Sequence, residues 1–272
     1  MSYDPAVALD FFRSAGRPSS FPKSSVIFAE RDAARPLLFQ RSKIYLLLDG
    51  EVELVAGAKP IGTVRKGEIF GELAAITHAP RTATAVAKSD CSVIALDDAE
   101  LESALERKPA FALMLMSMLI GRLRETIARL TASGALARGA GSQEAAAAFD
   151  AEQVADLVCG LADDPPVYYQ QGKPIMNEGQ KAMRMYVVIE GRVAVSIGGR
   201  VVERLGPGGA FGEAALVDES PRLASATAET DCELLPITRQ AFLALVKLSP
   251  QFAYSMLSAL AKRLRFLTER IQ

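Results

Sequence analysis

The 272-residue chain is half hydrophobic and 23% charged, with a formal net charge of −1. That balance suits a globular protein with cores to bury, and it supplies no long-range attraction for nucleic acid or an anionic membrane. Residues 1–10 lack the basic start and apolar run of a secretion signal, and the most apolar stretch, 111–120, is too short to span a bilayer. Three cysteines cannot all pair within one chain, so they read as reduced thiols and the expected location is the cytoplasm.

In chain order, a short helix is predicted over 4–13. An apolar run at 44–48 follows, turns at Asp49-Gly50 and continues as an alternating run at 52–55. Such a pattern predicts consecutive antiparallel strands, and 84–87 with 91–96 predict another pair. The period then lengthens. Met116, Ile120, Leu123, Ile127 and Leu130 recur at spacings of four and three, which predicts one long helix with an apolar seam. The stretch from Ser133-Gly134 to Gly139-Ala140-Gly141-Ser142 reads as a flexible joint. Its glycines follow a helix and lack a Lys-Ser/Thr ending, so they are not a phosphate loop.

The same succession then repeats. A helix is predicted over 149–161, strands over 185–189, 193–197, 225–228 and 232–237, and a final seam through Leu257, Ala261, Leu264, Thr268 and Ile271, thickened by Leu260 and Leu267. The two halves share a register of 141 residues: Tyr45, Gly50, Gly67 and Cys91 meet Tyr186, Gly191, Gly208 and Cys232. A duplicated unit explains this. The predicted division is 1–136, a linker at 137–148, and 149–272. Many short strands with evenly spaced turns indicate sandwich or jelly-roll units, and each of two units must bury its own core. The first half spends seven more residues between its Ile27 and Tyr45 than the second between Ile175 and Tyr186, so 31–41 forms a longer loop.

Within the register one motif stands out. Phe70-Gly71-Glu72-Leu73-Ala74 leads to Pro80-Arg81-Thr82, and Phe211-Gly212-Glu213-Ala214-Ala215 leads to Pro221-Arg222-Leu223. The residues after Gly-Glu form a helical turn whose first amides lack partners and favour an anion. The arginine adds a forked, charge-assisted donor for that anion. The glutamate would repel the anion unless it accepts from a hydroxyl, and a ribose hydroxyl beside a phosphate meets both demands.

The stretch from Gly67 to Ala87 resembles the phosphate-binding cassette of the cyclic nucleotide-binding domain family, which includes kinase regulatory subunits and the sensor of the catabolite activator protein. The looser resemblance covers nearly the whole chain. It implies a mainly β fold with flanking helices: two tandem jelly-roll barrels, each followed by a long C-terminal helix, with cAMP or cGMP bound inside the barrel. The ligand-binding residues it implies are Gly71, Glu72, Leu73, Ala74, Arg81 and Thr82, and in the second copy Gly212, Glu213, Ala214, Ala215, Arg222 and Leu223. Thr82 stands where cGMP-selective members tend to place a hydroxyl, so it hints at cGMP or mixed use in the first site. Leu223 cannot do this, which leaves the second site a weaker affinity or another base preference.

The resemblance also implies that the long helix closes over the base. Leu123, Thr126 and Ile127 are the base-facing candidates, with Leu264, Leu267 and Thr268 as their second-repeat equivalents; packing in the seam is the alternative for all of them, for the leucines above all. No basic recognition helix is expected between the repeats or after the last helix, and 14–20 is too short and lightly charged for a kinase-docking segment. The expected function is therefore a cyclic nucleotide receptor without its own catalytic or DNA-binding domain. Movement of the long helices would signal to an effector protein, and those helices would pair as an intramolecular pseudo-dimer or a homodimer. No cofactor and no metal are expected, because His78 is the only histidine and reads as an exposed loop residue. The rival reading is an interaction scaffold whose pockets no longer bind nucleotide. An enzyme built on the barrel ranks last.

Overall fold

The computed structural model of the chain describes residues 3–32, 41–134, 143–162, 164–181 and 183–269. Helix α1 (Pro5–Ala15) starts where the side chain of Asp4 accepts from the amide of Ala6 and proline occupies the first turn. Eight strands follow: β1 (Arg17–Phe21), β2 (Val26–Phe28), β3 (Lys43–Asp49), β4 (Val52–Ala56), β5 (Lys59–Val64), β6 (Ile69–Phe70), β7 (Thr84–Ala87) and β8 (Cys91–Asp97), with helix α2 (Glu72–Thr77) between β6 and β7. They form two antiparallel sheets, ordered β1-β8-β3-β6 and β2-β7-β4-β5. Helices α3 (Asp98–Arg107) and α4 (Pro109–Ala132) complete the repeat.

The second repeat reproduces this plan. Strands β10 (Val167–Tyr169), β17 (Cys232–Thr238), β12 (Arg184–Glu190) and β15 (Ala210–Phe211) make one sheet. Strands β11 (Pro174–Met176), β16 (Ser225–Ala228), β13 (Val193–Ile197) and β14 (Arg200–Leu205) make the other, extended by β9 (Gln143–Glu144), which runs parallel to β14. The helices are α5 (Ala151–Gly160), α6 (Ala214–Val217), α7 (Arg239–Leu248) and α8 (Pro250–Thr268). These are two jelly-roll barrels with flanking helices.

Two details depart from the sequence reading. The turn at Asp49-Gly50 is not a hairpin: β3 pairs with β6 and β8, whereas β4 pairs with β5 and β7, so the chain crosses from one sheet to the other. The step from β7 to β8 crosses in the same way. Gly50 makes the crossing with φ +95, and a Cβ there would lie 2.5 Å from the Asp90 carbonyl; Gly191 does the same with φ +88, at 2.1 Å from the Asp231 carbonyl. Two helices rather than one follow each barrel. The start of α3 is a capping box, with Asp97 and Glu100 each accepting the other's backbone amide.

The core lies between the sheets. In the first barrel Tyr45, Leu47, Val52, Phe70, Ala85 and Val93 are buried together. Outside it, Phe111 of α4 stacks on Phe11 at 3.3 Å between centroids and meets Phe12 edge-on at 6.0 Å. In the second repeat Phe252 stacks on Phe149 at 5.4 Å and meets Phe242 edge-on at 5.8 Å. By contact density the described chain divides into one unit of 3–114 with 261–269 and another of 115–260, so the divisions fall inside α4 and α8. Of the segment read as linker, 137–142 lies outside the described residues. Within the rest, Gln143 and Glu144 pair with β14, and the amides of Ala148 and Phe149 donate to the carbonyl of Gly208.

Cys91 and Cys232 are buried free thiols that donate to the carbonyls of Glu51 and Arg192, while Cys159 is free and exposed. Among the described residues no helix is long and apolar enough to cross a membrane.

Candidate functional site

The first site begins where β6 ends. Gly71 caps α2 in the left-handed region at φ +75, and this turn swings Glu72 inward, where it is only 4% exposed. Ala74 is also buried and Leu73 is half-buried. Ten residues after Gly71 the chain returns with Arg81, which is 7% exposed although it is among the most polar side chains known. Its Nη1 donates to the Gly71 carbonyl at 2.6 Å, its Nη2 to the Lys43 carbonyl at 2.8 Å, and its Cζ lies 4.1 Å from the centre of the Phe28 ring. The backbone is held as well: the Arg81 amide donates to the Asp32 carbonyl and its own carbonyl accepts from Arg31.

Burial pushes the Arg81 guanidinium below its ordinary value, and Tyr45, Glu72 and Asp32 oppose the shift. Burial likewise raises the Tyr45 phenol, against the pull of Arg81. A desolvated guanidinium keeps its charge because its reference value is so high. The two carbonyls use two of its five N–H donors, and a carbonyl dipole neutralises far less than an anion does. The arrangement is therefore a positive charge held indoors beside a carboxylate, with aromatic walls: Tyr45 stacks on Phe70 at 5.1 Å and on Phe28 at 5.9 Å.

The second site has the same construction. Gly212 (φ +86) precedes Glu213, which is 3% exposed, and Arg222 is 7% exposed. Nη1 of Arg222 donates to the Gly212 carbonyl at 2.6 Å and Nη2 to the Arg184 carbonyl. Burial lowers this guanidinium too, opposed by Tyr186 and Glu213. Tyr186 stacks on Phe211 at 5.4 Å. Two differences are local. Met176 occupies the position of Phe28, so that position puts no ring over the second guanidinium, and α6 is shorter than α2. Ala214 and Ala215 are buried, whereas Thr82 and Leu223 are both half-buried beside their arginines.

The loop between each helix and its arginine carries a pairing that the sequence reading missed. His78, at φ 51, lies 3.5 Å from a carboxylate oxygen of Asp98 and 3.5 Å from one of Glu102. At the equivalent positions Glu219, at φ 58, pairs with Arg239 at 2.5 Å. The carboxylate lies on the helix in the first copy and on the loop in the second. No group of three or more His, Cys, Asp or Glu side chains among the described residues could hold a metal ion.

The base-facing candidates lie elsewhere than expected. Ile127 packs against the core of the second barrel, with Met176, Val195 and Phe211, although it follows the first barrel in sequence. Leu123 and Thr126, 6% and 2% exposed, belong to the same unit. A repeating apolar seam shows that a helix packs, but not on which barrel.

Comparison with known proteins agrees with the geometry. Residues 18–108 and 166–249, together well over half the chain, match the family described as "Cyclic nucleotide-binding domain". The cyclic AMP receptor protein of Thermus thermophilus is 43% identical over 102 residues, covering 36% of this chain and 47% of that protein. A cAMP-dependent protein kinase regulatory subunit of Eremothecium gossypii is 29% identical over 204 residues, 73% of this chain and 38% of its own. A cGMP-dependent protein kinase of Toxoplasma gondii is 27% identical over 237 residues, 86% of this chain and 20% of its own. The chain thus spans half or less of the length of these relatives. With two matched segments, each containing a left-handed glycine, an inward glutamate and a buried arginine, the chain belongs to the cyclic nucleotide-binding domain family and carries that domain twice.

Proposed function

We propose that the protein is a two-site receptor for cAMP or cGMP that signals to a protein partner through its long helices. The observation that supports it most is the pair of buried arginines, each desolvated at an energetic cost and each held beside a buried glutamate. A core has no use for this arrangement twice, because a buried guanidinium carries a desolvation cost that two carbonyls and a neighbouring glutamate only partly offset. A cyclic phosphate would give each guanidinium a charged partner, and a ribose hydroxyl would donate to the glutamate beside it. Gly71, Glu72, Leu73, Ala74, Arg81 and Thr82 would form the first site, and Gly212, Glu213, Ala214, Ala215, Arg222 and Leu223 the second.

The relatives support either nucleotide, since their names include both cAMP and cGMP. Thr82 favours cGMP at the first site; Leu223 offers the second no such hydroxyl. The receptor is read as cytoplasmic, without a metal, cofactor, nucleic acid or membrane as partner, and as acting through the effector it contacts rather than through catalysis. The domain division at 1–136 and 149–272 is retained for the two recognition barrels, and pairing of the long helices, within one chain or between two, is part of the same reading.

Calorimetry with cAMP and with cGMP tests this on the wild type, Arg81→Ala, Arg222→Ala and the double variant. Two binding events in the wild type, one in each single variant and none in the double variant are expected. Absence of heat from either nucleotide at millimolar concentration would refute the receptor and leave the scaffold reading in its place.

A further inference from the structure

The peptide bond just before each cassette arginine is gripped by a second arginine from a long helix. Nη2 of Arg124, on α4, donates to the Pro221 carbonyl at 3.1 Å. The same guanidinium forks onto the Asp218 carboxylate, Nε to Oδ2 at 2.7 Å and Nη2 to Oδ1 at 3.1 Å. Asp218 Oδ1 also accepts from the Ser220 amide at 3.0 Å, so Asp218, Ser220 and Pro221 are tied together through one guanidinium. On α8, Arg265 donates through Nη1 to the Pro80 carbonyl.

The partners are crossed. In the 141-residue register Arg124 corresponds to Arg265 and Pro221 to Pro80. If each helix served the barrel that precedes it, Arg124 would reach Pro80 and Arg265 would reach Pro221. The observed separations along the chain are instead 97 and 185 residues. Each contact lies inside one compact unit: Arg124 with Pro221 in 115–260, and Arg265 with Pro80 in 3–114 with 261–269.

Resting on the receptor reading above, we infer that Arg124 and Arg265 are positioning residues for nucleotide binding, each holding the phosphate-binding arginine of the repeat to which it does not belong. The peptide group that joins Pro221 to Arg222 is held through both its atoms, the carbonyl by Arg124 and the N–H by the Gln180 carbonyl at 2.9 Å. Beyond the α-carbon the Arg222 carbonyl accepts from the Gly179 amide at 3.0 Å, so that α-carbon is fixed on both sides. Side-chain reach then leaves the guanidinium little choice of place. The grips differ in kind. Arg124 has a carboxylate and a carbonyl, in a half-buried, forked geometry that is stronger than a single surface pair. At the position of Asp218 the first cassette has Thr77, whose hydroxyl donates to Leu73, so Arg265 holds Pro80 without a loop carboxylate and pairs with Glu269 on its own helix.

The test uses the full chain and two readouts. Amide exchange without nucleotide should rise across 218–224 in Arg124→Ala and leave 77–83 at the wild-type rate, with the mirror image in Arg265→Ala. Calorimetry with cAMP and cGMP then uses Arg81→Ala, which retains the second site, and Arg222→Ala, which retains the first. Adding Arg124→Ala should weaken binding about fivefold in the Arg81→Ala background and leave the Arg222→Ala background within twofold. Arg124→Lys keeps the charge and loses the fork, so it should recover part of the affinity and provides a folded variant if alanine lowers yield. Loosening of the loop in the variant's own repeat, equal loosening of both loops, or no change would overturn the inference. If the wild type binds neither nucleotide, the receptor reading fails, while the exchange pattern still decides which loop each arginine holds.

Discussion

Nη1 of Arg222 donates to the carbonyl of Gly212 at 2.6 Å, and a Cβ on Gly212 would lie 2.5 Å from that same nitrogen. The glycine is therefore required twice, once for a backbone at φ +86 and once for the space that the guanidinium fills. Gly212→Ala should displace Arg222 and weaken nucleotide binding at the second site more than about tenfold, the equivalent of about 1.4 kcal/mol. Calorimetry in the Arg81→Ala background reads this directly. In the first site a Cβ on Gly71 would meet Arg81 Nη1 at 2.8 Å and the Lys43 carbonyl at 3.0 Å, so Gly71→Ala in the Arg222→Ala background should behave alike.

The ring of Phe28 under Arg81 has no counterpart at Met176. A cation over an aromatic face in a desolvated setting contributes about 1–2 kcal/mol. Phe28→Leu should therefore weaken the first site about fivefold or more. Met176→Leu should change the second by less than about twofold, since it exchanges one flexible apolar chain for another. Equal losses at both sites would show that the ring matters for packing alone.

Thr82→Ala tests base choice. One hydroxyl is worth about 1 kcal/mol, so the variant should lose about fivefold in cGMP affinity and little in cAMP affinity, measured with the second site removed by Arg222→Ala. A parallel loss for both nucleotides would place the hydroxyl on the backbone instead of the base.

Gly50 and Gly191 make the crossings between sheets. Gly191→Ala would bring a Cβ to 2.1 Å from the Asp231 carbonyl, a backbone atom that cannot move without shifting β17. The cost in denaturant unfolding should exceed about 2 kcal/mol. Gly198→Ala, at φ +56 with nothing within 4 Å, should cost only about 1 kcal/mol. The contrast between two left-handed glycines a few residues apart separates strain from collision.

Phe111 is 2% exposed and touches both Phe11 and Phe12. Phe111→Ala should lower the stability of the unit containing the first barrel by about 3–5 kcal/mol, the usual cost of emptying an aromatic core position. Urea unfolding followed by circular dichroism measures it.

The cassettes were legible in the sequence because their chemistry is local: eleven residues hold the left-handed glycine, the glutamate and the arginine, and the duplication repeats that spacing in register. The strand pattern was legible too, but its pairing was not. Alternation along 44–48 and 52–55 looks the same whether Asp49-Gly50 closes a hairpin or carries the chain to a second sheet. Helix α3 left a signal that went unread, the Asp97 and Glu100 capping box. The placement of Ile127 left none, since an apolar stripe of given period fits either barrel and only long-range packing decides. The pairs His78 with Asp98 and Glu219 with Arg239 lay outside the shared motif, where the copies have diverged.

The division of the chain inside α4 and α8 makes each half depend on the other. Cleavage within 135–142 would not release two autonomous halves, because each fragment would keep a helical segment that completes the other fragment's unit. Half-chains produced separately should recombine into a complex, and neither should persist alone.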